Sequence, residues 1–181
     1  MPRRKRDLTA GTFHIYTHAV WAASALFRHD ADRMTFVREL ARATARVGWT
    51  CMAYCLLTTH YHLLVEVEAG VLSDGMHALN FRYASYFNNR YRMKGHVFAA
   101  RYDSQRIRDE EHLVTVFRYI ARNPVEAGLG RSAADWRWSS YPETIGRVEP
   151  RSFVDATEVL EWFGGTDEFA VERLRRFVED S

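Results

Sequence analysis

The sequence is poor in cysteine and has no long apolar run. Its 181 residues include only two cysteines, Cys51 and Cys55, which are too few for a disulfide framework. No apolar stretch reaches the roughly 20 residues that a membrane-spanning helix needs. The basic segment Met1–Asp7 is followed by no hydrophobic region of the kind found in a secretory signal. We therefore expect a cytoplasmic protein with no membrane partner.

The composition is typical of a globular chain, with 47% hydrophobic and 14% aromatic residues. The net charge of +2 hides an asymmetry, because the segment from Glu149 to Ser181 contains nine acidic and four basic residues. We predict a basic N-terminal arm over residues 1–10, one folded domain over 11–145 and an acidic helical tail over 146–181. A basic body is compatible with a nucleic-acid partner.

Hydrophobic periodicity predicts an alternation of strands and helices. Strands are expected at about 12–20, 50–57, 60–67 and 97–107, and helices at about 33–47, 76–91, 109–123 and 169–178. The third helix is expected to end at Asn123, because a residue before proline disfavours the α conformation. The order predicts an α+β protein with a ferredoxin-like βαββαβ antiparallel sheet, an added helix and a helical C-terminal tail. A packed loop at 136–141 is expected to close the domain.

Two histidines flank a tyrosine at the start of the third predicted strand, in the order His60, Tyr61, His62. Side chains at i and i+2 of a strand project from one face, so the two imidazoles can hold one metal ion while Tyr61 points to the packed side. The competing interpretation is an accidental pair that makes ordinary structural hydrogen bonds.

Tyr119 and Asn123 lie four residues apart on the third predicted helix, at one border of its apolar stripe. A phenol and a carboxamide at that border could address the same metal-bound phosphate. The alternative is that Tyr119 is an ordinary amphipathic helix residue and Asn123 a helix-end residue. The stripe consists of Leu113, Val116, Phe117 and Ile120.

Cys51 and Cys55, with the two histidines, could suggest a zinc-binding structural module. On a strand the cysteines would lie about 13 Å apart, so we predict two buried free thiols instead. The remaining histidines are expected to be structural or surface residues, since they show no comparable pairing. They include His14, His18, His77, His96 and His112.

A set of basic residues could neutralise DNA phosphates, or could equally form a solvated face. It consists of Arg82, Arg90, Arg92, Lys94, Arg101, Arg106, Arg108, Arg118 and Arg122. Aromatic residues of the second predicted helix could stack on unpaired bases, although packing in the core is the favoured interpretation. They are Tyr83, Tyr86, Phe87 and Tyr91.

Four motifs in order resemble the single-tyrosine transposases with a histidine–hydrophobe–histidine (HUH) motif, most closely the REP-associated tyrosine transposases. His60–Val65 resembles the histidine motif, and Tyr119–Gly128 resembles the segment that carries the nucleophile. Gly95–Phe98 and Trp138–Tyr141 resemble the strand before that segment and the closure after it. The resemblance covers about residues 10–145. It departs at Thr58-Thr59, where members often have a pair such as Pro-Asn.

The resemblance implies cleavage of single-stranded or hairpin DNA by Tyr119, through a 5′-phosphotyrosine. A phenol ionises near pH 10 and needs help to lose its proton. Mg²⁺ or Mn²⁺ held by His60, His62 and Asn123 could polarise the phosphate. No nucleotide cofactor is expected, and the protein is expected to be a nucleoid-associated monomer or homodimer. The alternative is a non-catalytic protein that binds DNA hairpins and retains the fold.

Overall fold

The computed structural model describes residues 9–20 and 25–180, so most of the predicted basic arm, including Arg3 to Arg6, lies outside the described residues. The described part contains four strands and six α-helices. The strands are β1 (Gly11–His18), β2 (Thr50–Leu56), β3 (His60–Val67) and β4 (Asp103–Arg106). The helices are α1 (Asp30–Val47), α2 (Leu72–Tyr91), α3 (Glu110–Glu126), α4 (Tyr141–Thr144), α5 (Ala156–Glu161) and α6 (Glu168–Glu179). None of these described helices is long and apolar enough to cross a membrane.

The four strands form one antiparallel sheet in the order β2-β3-β1-β4. Strand β2, which follows α1, pairs with the central strand β3, and β4, which follows α2, pairs with the central strand β1. These pairings confirm the predicted βαββαβ arrangement. The central pair, β1 and β3, is joined along its whole length, from Gly11 opposite Val67 to His18 opposite His60. Helix α3 follows β4 as the predicted added helix.

Helices α1 and α2 cover one face of the sheet and enclose an aromatic core. The Phe36 ring lies 4.5 Å from that of Tyr61 and 5.2 Å from that of Tyr83, measured between centroids. All three side chains are fully buried. Burial of such rings contributes about 1.5–3 kcal/mol each, so this face supplies much of the stability of the fold.

Helix α3 and the C-terminal tail cover the other face with a second apolar core. Phe117 and Ile120 of α3 meet Val159 and Leu174 of the tail there. The tail contains two helices, α5 and α6, where the sequence predicted only the second. Although acidic, it is packed into the domain because the apolar residues of both helices face inward.

The segment 136–141 closes the domain as predicted. Trp138 is buried, and its carbonyl accepts a hydrogen bond from the Leu56 amide at 2.9 Å. The Ser140 amide donates to the Tyr54 carbonyl at 3.0 Å. These bonds attach the loop to the edge of β2.

The predicted fourth strand over 97–107 was too long, since β4 comprises four residues. Residue 98 bridges Ala19, beyond the end of β1, whereas Asp103 pairs with Tyr16. Between these two pairings, the β1 side advances by three residues, from Ala19 to Tyr16, and the opposite segment by five, from residue 98 to Asp103. Two extra residues bulge out between the two pairings and interrupt the strand.

Helix α3 continues past the predicted end and includes Pro124. Proline removes one backbone donor, but the Ala127 amide still donates to the Asn123 carbonyl at 2.9 Å. Pro124 is buried against the second core. Tertiary burial thus overrides the local preference against helix before proline.

Both cysteines are buried free thiols, as predicted. A register shift between Cys51 and Ala53 interrupts the alternation of β2. Cys51 consequently joins the core under α1 and α2, while Cys55 joins the core under α3. Burial raises the pKa of Cys51 to about 12 and that of Cys55 further. This placement contradicts the zinc module, because the thiols lie in different cores.

Candidate active site

Alternate residues of the two central strands place a group of polar rings on the α3 side of the sheet. His60 and His62 alternate with the buried Tyr61, as predicted for i and i+2 positions. On β1, Tyr16 lies opposite His62, and His18 lies opposite His60. The sheet therefore combines rings from both strands at the same end.

These rings line a cavity of about 560 Å³ between the sheet and α3. Tyr119 reaches this cavity from the border of the α3 apolar stripe, as predicted. Its ring lies 5.3 Å from that of His62 and 5.9 Å from that of His14, and it is 43% exposed. The described residues that line it are His14, Tyr16, His18, His60, His62, Gln105, His112, Thr115, Val116 and Tyr119.

Each imidazole of the histidine pair is bonded through Nδ1. His62 Nδ1 lies 3.0 Å from His14 Nε2, and His60 Nδ1 lies 3.0 Å from Thr59 Oγ1. His62 Nε2 is buried and has no hydrogen-bond partner among the described residues. A buried nitrogen without a partner is costly in an ordinary structural histidine. A lone pair at this nitrogen suits a metal ion.

Burial, followed by the proximity of His14, His60 and His18, lowers the pKa of His62 to about 2. Burial, followed by the charge of His112, lowers the pKa of His14 to about 4. Burial and the proximity of His18 also lower the pKa of His60. His14, His60 and His62 are thus neutral near pH 7, and neutral imidazole is the form that binds metals.

Asn123 lies one turn beyond Tyr119 and is buried, but it is not among the residues that line the cavity. Its Nδ2 donates to the Tyr119 carbonyl oxygen at 2.9 Å. In the described part of the chain, no cluster of three or more His, Cys, Asp or Glu side chains is placed to hold a metal. The structure thus unites Tyr119 with His60 and His62, and leaves the third proposed ligand outside the cavity.

Sequence reasoning missed four rings of this cavity. His14, His18 and His112 were expected to be structural or surface residues, and the structure places all three in the lining of the cavity. Tyr16 was not considered. A signal was present, since His14, Tyr16 and His18 alternate along β1 as the histidine pair does along β3. His77 and His96 are exposed elsewhere.

The predicted DNA-binding cations fall into separate groups. Arg82 is paired with Glu39 at 3.6 Å, and Arg90 with Asp32 at 3.4 Å. Arg106 donates to Thr9. The remaining exposed members of the set are Arg92, Lys94, Arg101 and Arg108.

Arg118 and Arg122 flank Tyr119 on α3, and both contact the end of α6. Arg118 donates to the Asp180 carbonyl, and Arg122 donates to the Val178 carbonyl at 2.8 Å. Cations at the C-terminus of a helix satisfy its free carbonyls and its dipole. These two arginines therefore fasten the tail to the helix that carries Tyr119.

The aromatic residues of α2 are mainly core residues, which confirms the favoured interpretation. Tyr83 and Phe87 are buried. Tyr86 and Tyr91 donate their hydroxyls to the buried carboxylate of Asp32, at 2.9 and 2.6 Å. These hydrogen bonds fix the positions of the Tyr86 and Tyr91 rings.

The family comparison agrees with a site built from this sheet and helix. The model of the family described as "Transposase IS200 like" matches residues 12–123, a span that includes both strands of the site and α3 as far as Asn123. The chain belongs to this IS200-like transposase family of DNA-processing proteins.

A solved structure shows the same fold. A REP-associated tyrosine transposase bound to a REP hairpin superposes with a TM-score of 0.70 at 16% identity, over 94% of this chain and 96% of the other. A putative transposase from Deinococcus radiodurans R1 gives a TM-score of 0.45 at 16% identity, over 66% of this chain and 95% of the other. No curated protein matches the chain.

Proposed function

We propose that this protein is a metal-dependent single-strand DNA endonuclease and strand transferase that acts on hairpin or palindromic DNA. The observation that carries the proposal is the position of Tyr119, whose partly exposed ring stands beside His62 in a cavity lined by histidines. Membership of the transposase family gives this arrangement a DNA-processing context.

Tyr119 is the proposed nucleophile. Its Oη attacks the phosphorus of a phosphodiester, a Tyr–O–P bond forms, and the bond from phosphorus to the 3′ oxygen breaks. The phenol loses its proton and the departing 3′ oxygen gains one. The covalent 5′-phosphotyrosine conserves the phosphodiester bond energy, so a second strand can be joined without a nucleotide cofactor.

His60, His62 and Asn123 are the proposed ligands of a divalent cation, and the buried Nε2 of His62, which bonds none of the described residues, supports the fit. When bound there, Mg²⁺ or Mn²⁺ would offset phosphate charge and orient the scissile bond. His14 and Thr59 hold the Nδ1 atoms of the two imidazoles, which leaves Nε2 of each for the cation. Asn123 would bind the cation through Oδ1, an atom that takes no part in the bond from Nδ2 to the Tyr119 carbonyl.

Hairpin DNA is the proposed partner. The REP-associated tyrosine transposase with this fold is bound to a REP hairpin. In this chain the exposed cations Arg92, Lys94, Arg101 and Arg108 offer phosphate contacts. Arg118 and Arg122 are instead assigned to the tail, because their guanidinium groups already bond its carbonyls.

The test is detection of a protein–DNA adduct on a denaturing gel, using hairpin oligonucleotides from the DNA that flanks this gene and either Mg²⁺ or Mn²⁺. Tyr119→Phe should lose the adduct while remaining folded, since the hydroxyl is its only change at a partly exposed ring. Tyr16→Phe is the matched variant, because Tyr16 lines the same cavity, and it should retain the adduct. The nucleophile is misassigned when Tyr119→Phe still forms the adduct.

The second candidate function is binding of DNA hairpins without catalysis. It is favoured by the position of Asn123, which is not among the described residues that line the cavity. This candidate predicts salt-dependent hairpin binding and no adduct with either metal. Parent protein that binds the hairpin but forms no adduct would support it over the endonuclease.

A further inference from the structure

A second and larger cleft lies between α2 and the segment that precedes β4. Its volume is about 800 Å³, and apolar atoms dominate its walls. The α2 side presents residues at helical spacing, among them His77, Asn80, Phe81 and Ala84. The opposite side is the segment 95–102, where the sequence predicted a continuous strand. None of these residues belongs to the cavity that contains Tyr119.

The cleft meets the same end of the sheet as the proposed active site, on the other face. Asn80 accepts a hydrogen bond from the Tyr61 hydroxyl at 2.7 Å, and Tyr61 lies between the two histidines of β3. The bridge from Phe98 to Ala19 prolongs the pairing just beyond His18. A strand of DNA that passes round this end of the sheet can therefore contact both sites.

An exposed aromatic ring stands at the cleft. Phe81 is 64% exposed, and its ring is parallel to that of His77 within 9°. The core aromatics of α2, in contrast, are buried. A flat exposed ring beside an imidazole is the type of surface on which an unpaired nucleobase stacks.

Positive charge accompanies this ring. Arg101 lines the cleft, and the exposed Arg92 and Lys94 immediately precede the segment that forms its wall. Asp74 is the single acidic residue among the described residues that line it. An apolar floor with one arginine on its wall and further cations next to that wall matches a single strand, whose bases are flat and apolar and whose backbone is anionic.

We propose that this cleft binds an unpaired segment of the DNA substrate, with a nucleobase stacked on Phe81 and the adjoining phosphate at Arg101. The inference rests on the proposed function for the identity of DNA as the partner, but it requires neither the metal nor cleavage. It also assigns a purpose to the interruption of the strand before β4, because the bulged segment forms the wall of the cleft.

Fluorescence anisotropy tests the proposal without catalysis, in EDTA, with one hairpin that ends flush and the same hairpin with a short unpaired extension at its 5′ or 3′ end. Phe81→Ala should weaken binding of an extended hairpin by about 5- to 150-fold, the range for removal of one stacking aromatic. It should leave binding of the flush hairpin unchanged. Phe81→Trp should retain the preference for the extension.

Phe169→Ala is the matched control, because Phe169 is 65% exposed on α6 and lies outside the cleft. It should leave both affinities unchanged. Arg101→Gln should reduce the salt dependence of extended-hairpin binding by about 0.7 in the slope of log K against log salt, the value for one phosphate contact to a single strand.

Three results would overturn the cleft assignment. They are equal weakening of both hairpins by Phe81→Ala, no weakening of either, and tighter binding of an extension made of RNA than of DNA. Failure of the parent protein to bind any hairpin is a different outcome, since it would contradict the proposed DNA partner itself. A protein that forms no adduct but still binds the extended hairpin more tightly than the flush one would support the cleft assignment.

Discussion

Strands β1 and β3 present opposite chemistry on their two faces, although both faces come from alternate residues of the same segments. Ile15 and Leu63 face α1 and α2 in a closed core and are fully buried. His14 and His62 face α3 beside an open cavity, and a buried nitrogen of His62 has no hydrogen-bond partner in the part of the chain that the structure describes. A strand can thus stabilise the fold with one set of residues and leave the next set available for chemistry.

The sharpest test of this division uses two consecutive residues of β3. His62→Ala should reduce adduct formation by about 10³-fold or more, as removal of an essential catalytic group does. Leu63→Ala should cost about 2–5 kcal/mol of stability through the cavity it leaves in the closed core. Adduct assays and urea unfolding of both variants measure the two effects.

The two variants are each other's control. His62→Ala should lose less stability than Leu63→Ala, because its side chain borders an existing cavity. The division between the faces fails when His62→Ala is the more destabilised variant, or when folded Leu63→Ala protein loses the adduct to the same extent.

A smaller effect is expected from loss of the hydrogen bond between His14 of β1 and His62. His14→Phe keeps a ring of similar size but removes the partner of His62 Nδ1. We expect the affinity for Mn²⁺ to fall by about 10- to 100-fold, as found for other residues that orient metal-binding histidines. Titration followed by electron paramagnetic resonance measures the affinity without DNA or turnover.

His77→Phe serves as the control for this variant, since His77 is exposed on α2 and lies outside the cavity. It should bind Mn²⁺ like the parent, and His14→Gln, which can still accept a hydrogen bond, should recover part of the affinity. Unchanged Mn²⁺ affinity in His14→Phe would contradict the proposed orienting role.

Asp32 of α1 is a buried polar group on the closed side of the sheet. Burial opposes its ionisation, but hydrogen bonds from Tyr91, the His29 amide, Tyr86 and the Arg28 amide outweigh that cost and lower its pKa below the usual 3.8. Asp32 thus has hydrogen-bond partners for its carboxylate, whereas His62 Nε2 has none among the described residues. The carboxylate therefore stabilises the folded state at neutral pH.

Asp32→Asn should lower the free energy of unfolding by about 2 kcal/mol at pH 7, the scale of hydrogen bonds to a charged group. Because the folded pKa is depressed, this contribution is present above the unfolded pKa and is lost as the pH falls below about 3.8 through the folded pKa. Urea unfolding across that range measures the convergence of parent and variant.

Asp30→Asn is the matched control, because the Asp30 side chain is 57% exposed. Its effect should be within about 0.5 kcal/mol, as for most surface substitutions. A difference between Asp32→Asn and the parent that persists undiminished at low pH would show that the cost is steric and independent of charge.

The parts of the site that could be predicted are those encoded by local periodicity. The alternation at His60 and His62 and the four-residue spacing from Tyr119 to Asn123 each lie within one element. The predicted faces of both elements are confirmed for His60, His62 and Tyr119. Asn123 was placed correctly on the helix, but its carboxamide bonds the Tyr119 carbonyl, an outcome that spacing could not reveal.

The parts that could not be predicted depend on pairings between distant segments. The role of His14 arises from the pairing of β1 with β3, and Arg118 and Arg122 acquired partners from a tail about 60 residues away. Because of the bulge in β2, Cys51 and Cys55 lie in different cores. Sequence patterns describe the faces of single elements, but they do not specify register or irregularity between elements.

The sequence alone determined the succession of elements, the βαββαβ order and the identity of His60, His62 and Tyr119 as candidate residues, because backbone periodicity of two or 3.6 residues decides which side chains share a face. Tertiary structure decided the rest. Strand register brought His14, Tyr16 and His18 to the same cavity, and the bulge before β4 opened the cleft beside Phe81. Those outcomes depend on packing and hydrogen bonding between distant segments, which no local pattern encodes.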